Sequence, residues 1–135
     1  MNDCLLIVRA FDFAARKHSD QRRKGAAREP YINHLAEVAE LVARASEGTD
    51  PELIAAAILH DTVEDTATTK AELTELFGVE VANLVGEVTD NKSLEKEGRK
   101  RLQIETAPHK SLRAKVIKLA DKTSNLRAIV RSPPT

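Results

Sequence analysis

Leu53-Ile54-Ala55-Ala56-Ala57-Ile58-Leu59 runs without a polar side chain and is followed at once by His60-Asp61-Thr62-Val63-Glu64-Asp65-Thr66. An ordinary helix does not close its apolar run with an imidazole and three carboxylates. If the helix continues, residues four apart share a face, so His60 lies beneath Glu64 and Asp61 beneath Asp65. Acids crowded beside a core repel one another and lose hydration, at a cost of several kcal/mol unless something cationic joins them. A divalent metal is the economical cation.

Working outward, Asp50-Pro51 is a start signal, because Asp caps free amides and Pro is tolerated at the first helical position. A helix is therefore expected over about 51–64. Leu5, Leu6, Val8, Ala10, Phe11, Phe13, Ala14 and Ala15 recur near the helical period and predict a first helix over about 3–18. The basic segment 19–30, with Arg22, Arg23, Lys24, Gly25 and Arg28, reads as a loop ending at Pro30. A second helix is expected over about 33–46, with Leu35, Val38, Ala39, Leu41 and Val42 facing inward.

Beyond the central stretch, Thr69-Lys70-Ala71-Glu72 has capping-box form and opens a short helix that stops near Gly78. The apolar stripe Val81, Leu84, Val85 and Val88 predicts a helix over about 79–89, and Asp90-Asn91-Lys92 a polar turn. A charged helix follows over about 94–106. The last covers about 112–130 with Val116, Ile117, Leu119, Ala120, Leu126 and Ile129, and Pro133-Pro134 marks a frayed end. No segment alternates with period two for long enough to predict a strand, and no internal repeat is present. The fold class is all-α, a bundle of about seven helices.

Composition agrees. Ala, Leu, Val, Glu, Lys and Arg dominate, with no Trp, one Tyr and three Phe. The 135 residues suit one core. Twenty-one basic and 21 acidic residues leave no global field for nucleic acid or an anionic membrane, so neither is expected as a partner. A lone cysteine, Cys4, excludes an intramolecular disulfide, and Asp3, Arg9 and Asp12 interrupt any signal-peptide core, which reads as a cytoplasmic protein. No apolar run approaches the ~20 residues that span a bilayer.

Four residues look like metal ligands: His34, His60, Asp61 and Asp121. Imidazole nitrogen and carboxylate oxygen suit Mn²⁺, Fe²⁺ or Zn²⁺, and the lack of thiolates argues against a structural zinc site. Spread over three helices, they fit a pocket in a helical bundle. His34 or Asp121 taken singly reads more simply as a satisfied histidine or a surface acid. The His60-Asp61 pair reverses that balance. Glu64 and Asp65 are surplus to such a ligand set and suit positioning a water and accepting its proton, against the simpler reading that they open an exposed loop. Arg22-Arg23-Lys24 precedes Tyr31 and His34 closely enough to border the pocket and offer phosphate contacts, although short basic runs are usually solvated. Arg99-Lys100-Arg101 reads as a solvated face. Asn125, four residues after Asp121, brings an amide to the same face, with a surface Asn the equal alternative.

Together these residues resemble the HD-domain phosphohydrolases, and among them the small stand-alone alarmone hydrolases of the RelA/SpoT type. The motifs are Phe13-Ala14-Ala15-Arg16-Lys17-His18, Arg22-Arg23-Lys24, Pro30-Tyr31-Ile32-Asn33-His34, Leu59-His60-Asp61-Thr62-Val63-Glu64-Asp65-Thr66, Glu87-Val88-Thr89-Asp90, and Lys118-Leu119-Ala120-Asp121-Lys122 with Asn125-Leu126-Arg127. They cover nearly the whole chain. The resemblance implies an HD-domain helical bundle and a Mn²⁺ ion held by His34, His60, Asp61 and Asp121. It implies hydrolysis of the 3′-diphosphate of guanosine 3′,5′-bis(diphosphate), with Glu64 and Asp65 handling the attacking water. Arg23 and Lys24 become contacts to this guanosine nucleotide, and Tyr31 and Asn125 line its pocket.

The resemblance treats 1–135 as a single HD-type metal-dependent phosphohydrolase domain. Family members carry further C-terminal helices beyond the point where this sequence stops, and the sequence leaves open both a naturally short form and a fragment. Other divalent metals remain open, as does the oligomeric state, with a homodimer among the options. Two alternatives also stand: a metal-dependent phosphatase acting on another phosphorylated nucleotide, and a non-catalytic nucleotide-sensing HD module.

Overall fold

In the computed structural model, residues 1–90 and 94–132 are described. The expected turn at Asp90-Asn91-Lys92 and the end at Pro133-Pro134 therefore lie partly or wholly outside the described residues. Around α3 (Pro51–Leu59) the other helices assemble: α1 (Asp3–Lys17), α2 (Ile32–Ala45), α6 (Val79–Val88) and α8 (Leu112–Arg131) all pack against it. All seven residues from 53 to 59 are buried. A helix apolar on every side has no solvent face and must sit at the centre, and three successive alanines let its neighbours approach closely.

The surrounding helices bury one stripe each. On α1 the stripe is Leu6, Ala10 and Ala14, spaced by four; on α2 it is His34, Leu35, Val38 and Val42; on α8 it is Ala114, Ile117, Ala120 and Ser124. α5 (Lys70–Phe77) pairs with α6, while α7 (Lys96–Thr106) buries no residue and runs into a 3₁₀ turn at Ala107–His109. Among the described residues there is no strand, only an isolated antiparallel bridge between Arg22 and Pro30.

The start signals work as local chemistry predicts. The Asp50 carboxylate accepts from Leu53 N at 3.2 Å, Thr69 Oγ1 from Glu72 N at 3.1 Å, and Ser111 Oγ from Ala114 N at 3.1 Å. Gly78 ends α5 with φ +95, where a side chain would be strained. Arg113 forks onto Asp50 at 3.0 and 2.7 Å and reaches Glu80 at 3.5 Å, tying together the first turns of α3, α6 and α8.

Two expectations are corrected. The helix expected over 51–64 is broken: α3 ends at Leu59, and the separate turn α4 (Thr62–Asp65) follows. Side chains take over the carbonyls at the break, with His60 Nδ1 on Ala57 O at 2.6 Å and Thr62 Oγ1 donating to Leu59 O at 2.7 Å. On α1 the periodic apolar residues Leu5, Val8 and Phe11, and on α8 Leu119, Leu126 and Ile129, are exposed. Periodicity marks an apolar face but not what covers it. Arg99, expected on a solvated face, is half-buried, with its Nε enclosed.

Candidate metal centre and active site

The break after Leu59 shapes the site. In a continuous helix adjacent side chains diverge by about 100°, so His60 and Asp61 would not share a target. Here His60 Nε2 and Asp61 Oδ2 lie 3.0 Å apart. From α2, His34 Nε2 comes within 3.8 Å of Asp61 Oδ2. From the middle of α8, Asp121 Oδ1 lies 2.8 Å from His34 Nε2 and 3.1 Å from His60 Nε2. The four donor atoms all lie within 4.8 Å of one another, with both histidines buried.

Second partners fix each ring. His60 Nδ1 faces a backbone carbonyl, so it carries the proton and Nε2 turns its lone pair into the cluster. His34 Nδ1 lies 2.9 Å from Ser124 Oγ, and that hydroxyl donates to Glu37 Oε1 at 2.7 Å. Having given its proton to Glu37, Ser124 accepts from His34 Nδ1, which again leaves the Nε2 lone pair facing inward. Glu37 is itself clamped by Arg131 at 2.8 Å and Arg127 at 3.6 Å. Burial raises its pKa, but Ser124 and Arg131 outweigh this and hold it below the usual range.

Two imidazole lone pairs thus confront two carboxylates, and only a cation satisfies all four. Protons show the same demand. Burial pulls the His60 pKa down, yet Asp61 and Asp121 push it up to about 10. Burial likewise opposes ionisation of Asp121, but the hydrogen bonds from His34 and His60 hold its pKa far below the carboxylate range. Asp61 is also depressed, His60 and the Tyr31 hydroxyl outweighing burial. The donor set, two imidazoles and two carboxylates without thiolate, fits a divalent ion of the Mn²⁺, Fe²⁺ and Zn²⁺ group.

Tyr31 touches the cluster directly: its hydroxyl donates to Asp61 Oδ2 at 2.5 Å. Its ring lies 5.1 Å from buried His18 and 5.3 Å from His34. Burial and then the Asp61 charge keep the phenol protonated well above its ordinary range. Tyr31 therefore steadies a candidate ligand. Glu64 is half-buried on α4 and Asp65 exposed, one turn past Asp61, whose carbonyl accepts from Asp65 N at 2.9 Å.

The basic loop is folded back rather than solvated throughout. Arg23 N donates to Glu29 O at 2.7 Å and Tyr31 N to Gln21 O at 2.9 Å, and Ala27 N donates to Ser132 Oγ at 2.8 Å. Gly25, at φ +119, meets the backbone of Ser132 so closely that a Cβ would lie 2.6 Å from its carbonyl oxygen. The loop brings Arg23 Nη2 within 3.2 Å of Asn125 Oδ1 and 3.4 Å of Ser124 O, one turn beyond Asp121. Lys24 is exposed beside it. Ser124 and Glu37 were not singled out in the sequence. Each sits three residues from a candidate ligand on the same helix, Asp121 and His34, and that spacing was the available signal.

An all-α bundle whose helices converge two histidines and two aspartates on one point defines a helical domain with a His/Asp metal-binding cluster. A family model described as HD domain matches residues 10–135. Guanosine-3′,5′-bis(diphosphate) 3′-pyrophosphohydrolase MESH1 of Xenopus tropicalis is 52% identical over 133 residues, 98% of this chain and 74% of that protein. The Homo sapiens protein of the same name is 53% identical over 128 residues, 95% of this chain and 72% of that one. A solved structure described as "A metazoan ortholog of SpoT hydrolyzes ppGpp and plays a role in starvation responses" superposes with a TM-score of 0.91 at 48% identity, covering 96% of this chain and 73% of that one. The chain belongs to the HD-domain family, within the group of these MESH1 relatives. No described helix is long and apolar enough to cross a membrane.

Proposed function

We propose that the chain is a Mn²⁺-dependent guanosine-3′,5′-bis(diphosphate) 3′-pyrophosphohydrolase, acting as a single HD-type domain and releasing pyrophosphate from ppGpp or pppGpp to leave GDP or GTP. The convergence of His34, His60, Asp61 and Asp121 within 4.8 Å carries the reading, and the relatives' substrate supplies its specificity. Manganese is the choice among ions that the same donors accept. An ion held by these four residues supplies Lewis acidity toward a phosphoryl oxygen and lowers the pKa of water.

The chain's own groups do the rest. Glu64 and Asp65, just past the ligand pair, orient the attacking water and take its proton. Water oxygen adds to the phosphorus attached to the ribose 3′ oxygen, that P–O bond breaks, and the 3′ oxygen leaves as a hydroxyl while pyrophosphate departs. Tyr31 holds Asp61 in place through its hydroxyl. Arg23 and Asn125, joined at 3.2 Å, offer a guanidinium and an amide to the nucleotide, and Lys24 adds a charge beside them. A cytoplasmic site of action belongs to the same reading, since Cys4 is exposed and free.

Two variants test the division of roles. His60→Ala loses metal and turnover together, whereas Glu64→Gln keeps the metal and loses most of the rate. Equal metal loss in both, measured by metal analysis after gel filtration, contradicts the assignment. Orthophosphate without pyrophosphate as product points instead to a phosphatase.

A further inference from the structure

His18 closes the motif that begins at Phe13, and it is not one of the clustered ligands. It caps the C-terminus of α1 and is 2% exposed. Its Nδ1 lies 2.7 Å from Gln21 Oε1, so Nδ1 carries the proton and donates. Nε2 is buried and finds no hydrogen-bond partner among the described residues. A buried acceptor left unpaired disfavours the fold, and an apolar ring would fill the same space without that penalty. What His18 supplies beyond packing is its grip on Gln21.

That grip lies at the root of the site. Gln21 N donates to His18 O at 2.9 Å, and Gln21 O in turn accepts from Tyr31 N at 2.9 Å. The Tyr31 ring returns to 5.1 Å from the His18 ring, tilted by 32°, which closes a circuit of three residues. From Gln21 outward the two limbs of the basic loop pair in turn: Gln21 with Tyr31, Arg22 with Pro30, and Arg23 with Glu29. Arg23, at the far end of this pairing, reaches Asn125 and Ser124. At the near end Tyr31 opens α2, whose start has no side-chain cap. The place of Gln21 thus sets both the Tyr31 hydroxyl on Asp61 and the first turn of α2, which carries His34.

We propose that His18 is a positioning residue of the metal site: its Nδ1–H holds Gln21, and Gln21 seats the Tyr31 hydroxyl on Asp61. No atom of His18 needs to touch the ion or a substrate. Its effect on turnover rests on the hydrolase reading, whereas its effect on Tyr31 and Asp61 does not. Loosening Gln21 releases Asp61 from Tyr31 and weakens the hold on the metal. It also unfastens the segment from which Arg23 projects, so substrate binding suffers more than the chemical step.

Two substitutions separate this role from packing. His18→Phe keeps a ring beside Tyr31 and removes the unpaired nitrogen but loses the donor, whereas His18→Asn loses the ring and keeps an N–H where Nδ1 stands. Tyr31 is the sole tyrosine and the chain has no Trp, so tyrosine fluorescence reports this one ring. A phenol bonded to a carboxylate fluoresces weakly, because the excited phenol passes its proton across. The Phe variant is expected to melt at or above the wild-type temperature, yet its metal-free fluorescence rises and its calorimetric Mn²⁺ Kd weakens about tenfold. The Asn variant melts lower and keeps both readouts near the wild type. Fluorescence and Kd that follow the melting temperatures, or a Phe variant equal to the wild type in both, overturn the role. Gln21→Leu cuts the same bond from its half-buried end and raises the fluorescence as well; wild-type fluorescence there overturns the role even if the Phe variant does not fold. Pyrophosphate release from guanosine 3′,5′-bis(diphosphate) at saturating Mn²⁺ is followed on the same samples, where the Phe variant raises KM with kcat nearly kept. The expected fluorescence order without release by the wild type refutes the hydrolase reading and leaves His18 standing. Release with KM unchanged and kcat following the melting temperatures refutes the positioning role alone.

Discussion

Raising the pH on the metal-free protein weakens its fold while strengthening its hold on a divalent ion. Both effects trace to His60. Its imidazolium is fully buried, and although burial opposes the charge, Asp61 and Asp121 raise its pKa from 6.5 to about 10. A group with a raised folded-state pKa contributes stability that is fully present below its unfolded value and lost as pH rises through the folded one. The loss therefore begins near pH 6.5 and completes near 10. At about 1.4 kcal/mol per pH unit the whole window bounds the contribution at several kcal/mol. The depressed Asp61 and Asp121 are the same contacts seen from the other side and are not added to it. A metal ligand must be neutral imidazole, so the ion competes with this proton and apparent affinity rises about tenfold per pH unit below the His60 pKa. The assay is Mn²⁺ calorimetry with parallel thermal melts of metal-free protein between about pH 6.5 and 8.5. An affinity flat in pH, or a metal-free melting temperature that climbs across the window, refutes the reasoning.

Ser124→Ala leaves His34 Nδ1 without its acceptor and weakens Mn²⁺ binding about 10- to 100-fold; unchanged affinity by titration contradicts the tautomer relay from Glu37. Ile58→Ala, at a fully buried position of the central helix, costs about 2–5 kcal/mol in urea unfolding. A loss under about 1 kcal/mol there contradicts the placement of α3 at the centre of the core. Arg113→Ala removes the fork onto Asp50 and, at a partly exposed site, costs about 1 kcal/mol. Asp50→Ala removes the helix cap as well, and costs more in the same unfolding experiment.

The helices were legible because their ends are written in local chemistry. Asp50-Pro51, Thr69 through Glu72 and Gly78 mark boundaries that the structure keeps within a residue or two. His60 and Asp61 were legible because an imidazole and a carboxylate after a fully apolar run contradict burial unless a cation joins them, whereas His34 and Asp121 gained that reading only beside the pair. The break between Leu59 and Thr62 was not, since helical propensity carries through His60 and Asp61, and the deviation depends on their side chains reaching Ala57 O and the cluster. Glu37 and Ser124 were hidden for a related reason: their partnership spans 87 residues and exists only once α2 and α8 pack. The exposed stripes on α1 and α8 show the converse limit, because an apolar pattern records the face and not its cover.

The proposed function requires that four converging side chains hold a metal for removal of a 3′-diphosphate. Metal analysis of the purified chain, followed by assay of guanosine 3′,5′-bis(diphosphate) with and without Mn²⁺, tests it most directly. The expected result is about one divalent ion per chain and pyrophosphate release that stops on chelation and returns with Mn²⁺. Protein that retains no metal and releases no pyrophosphate contradicts it.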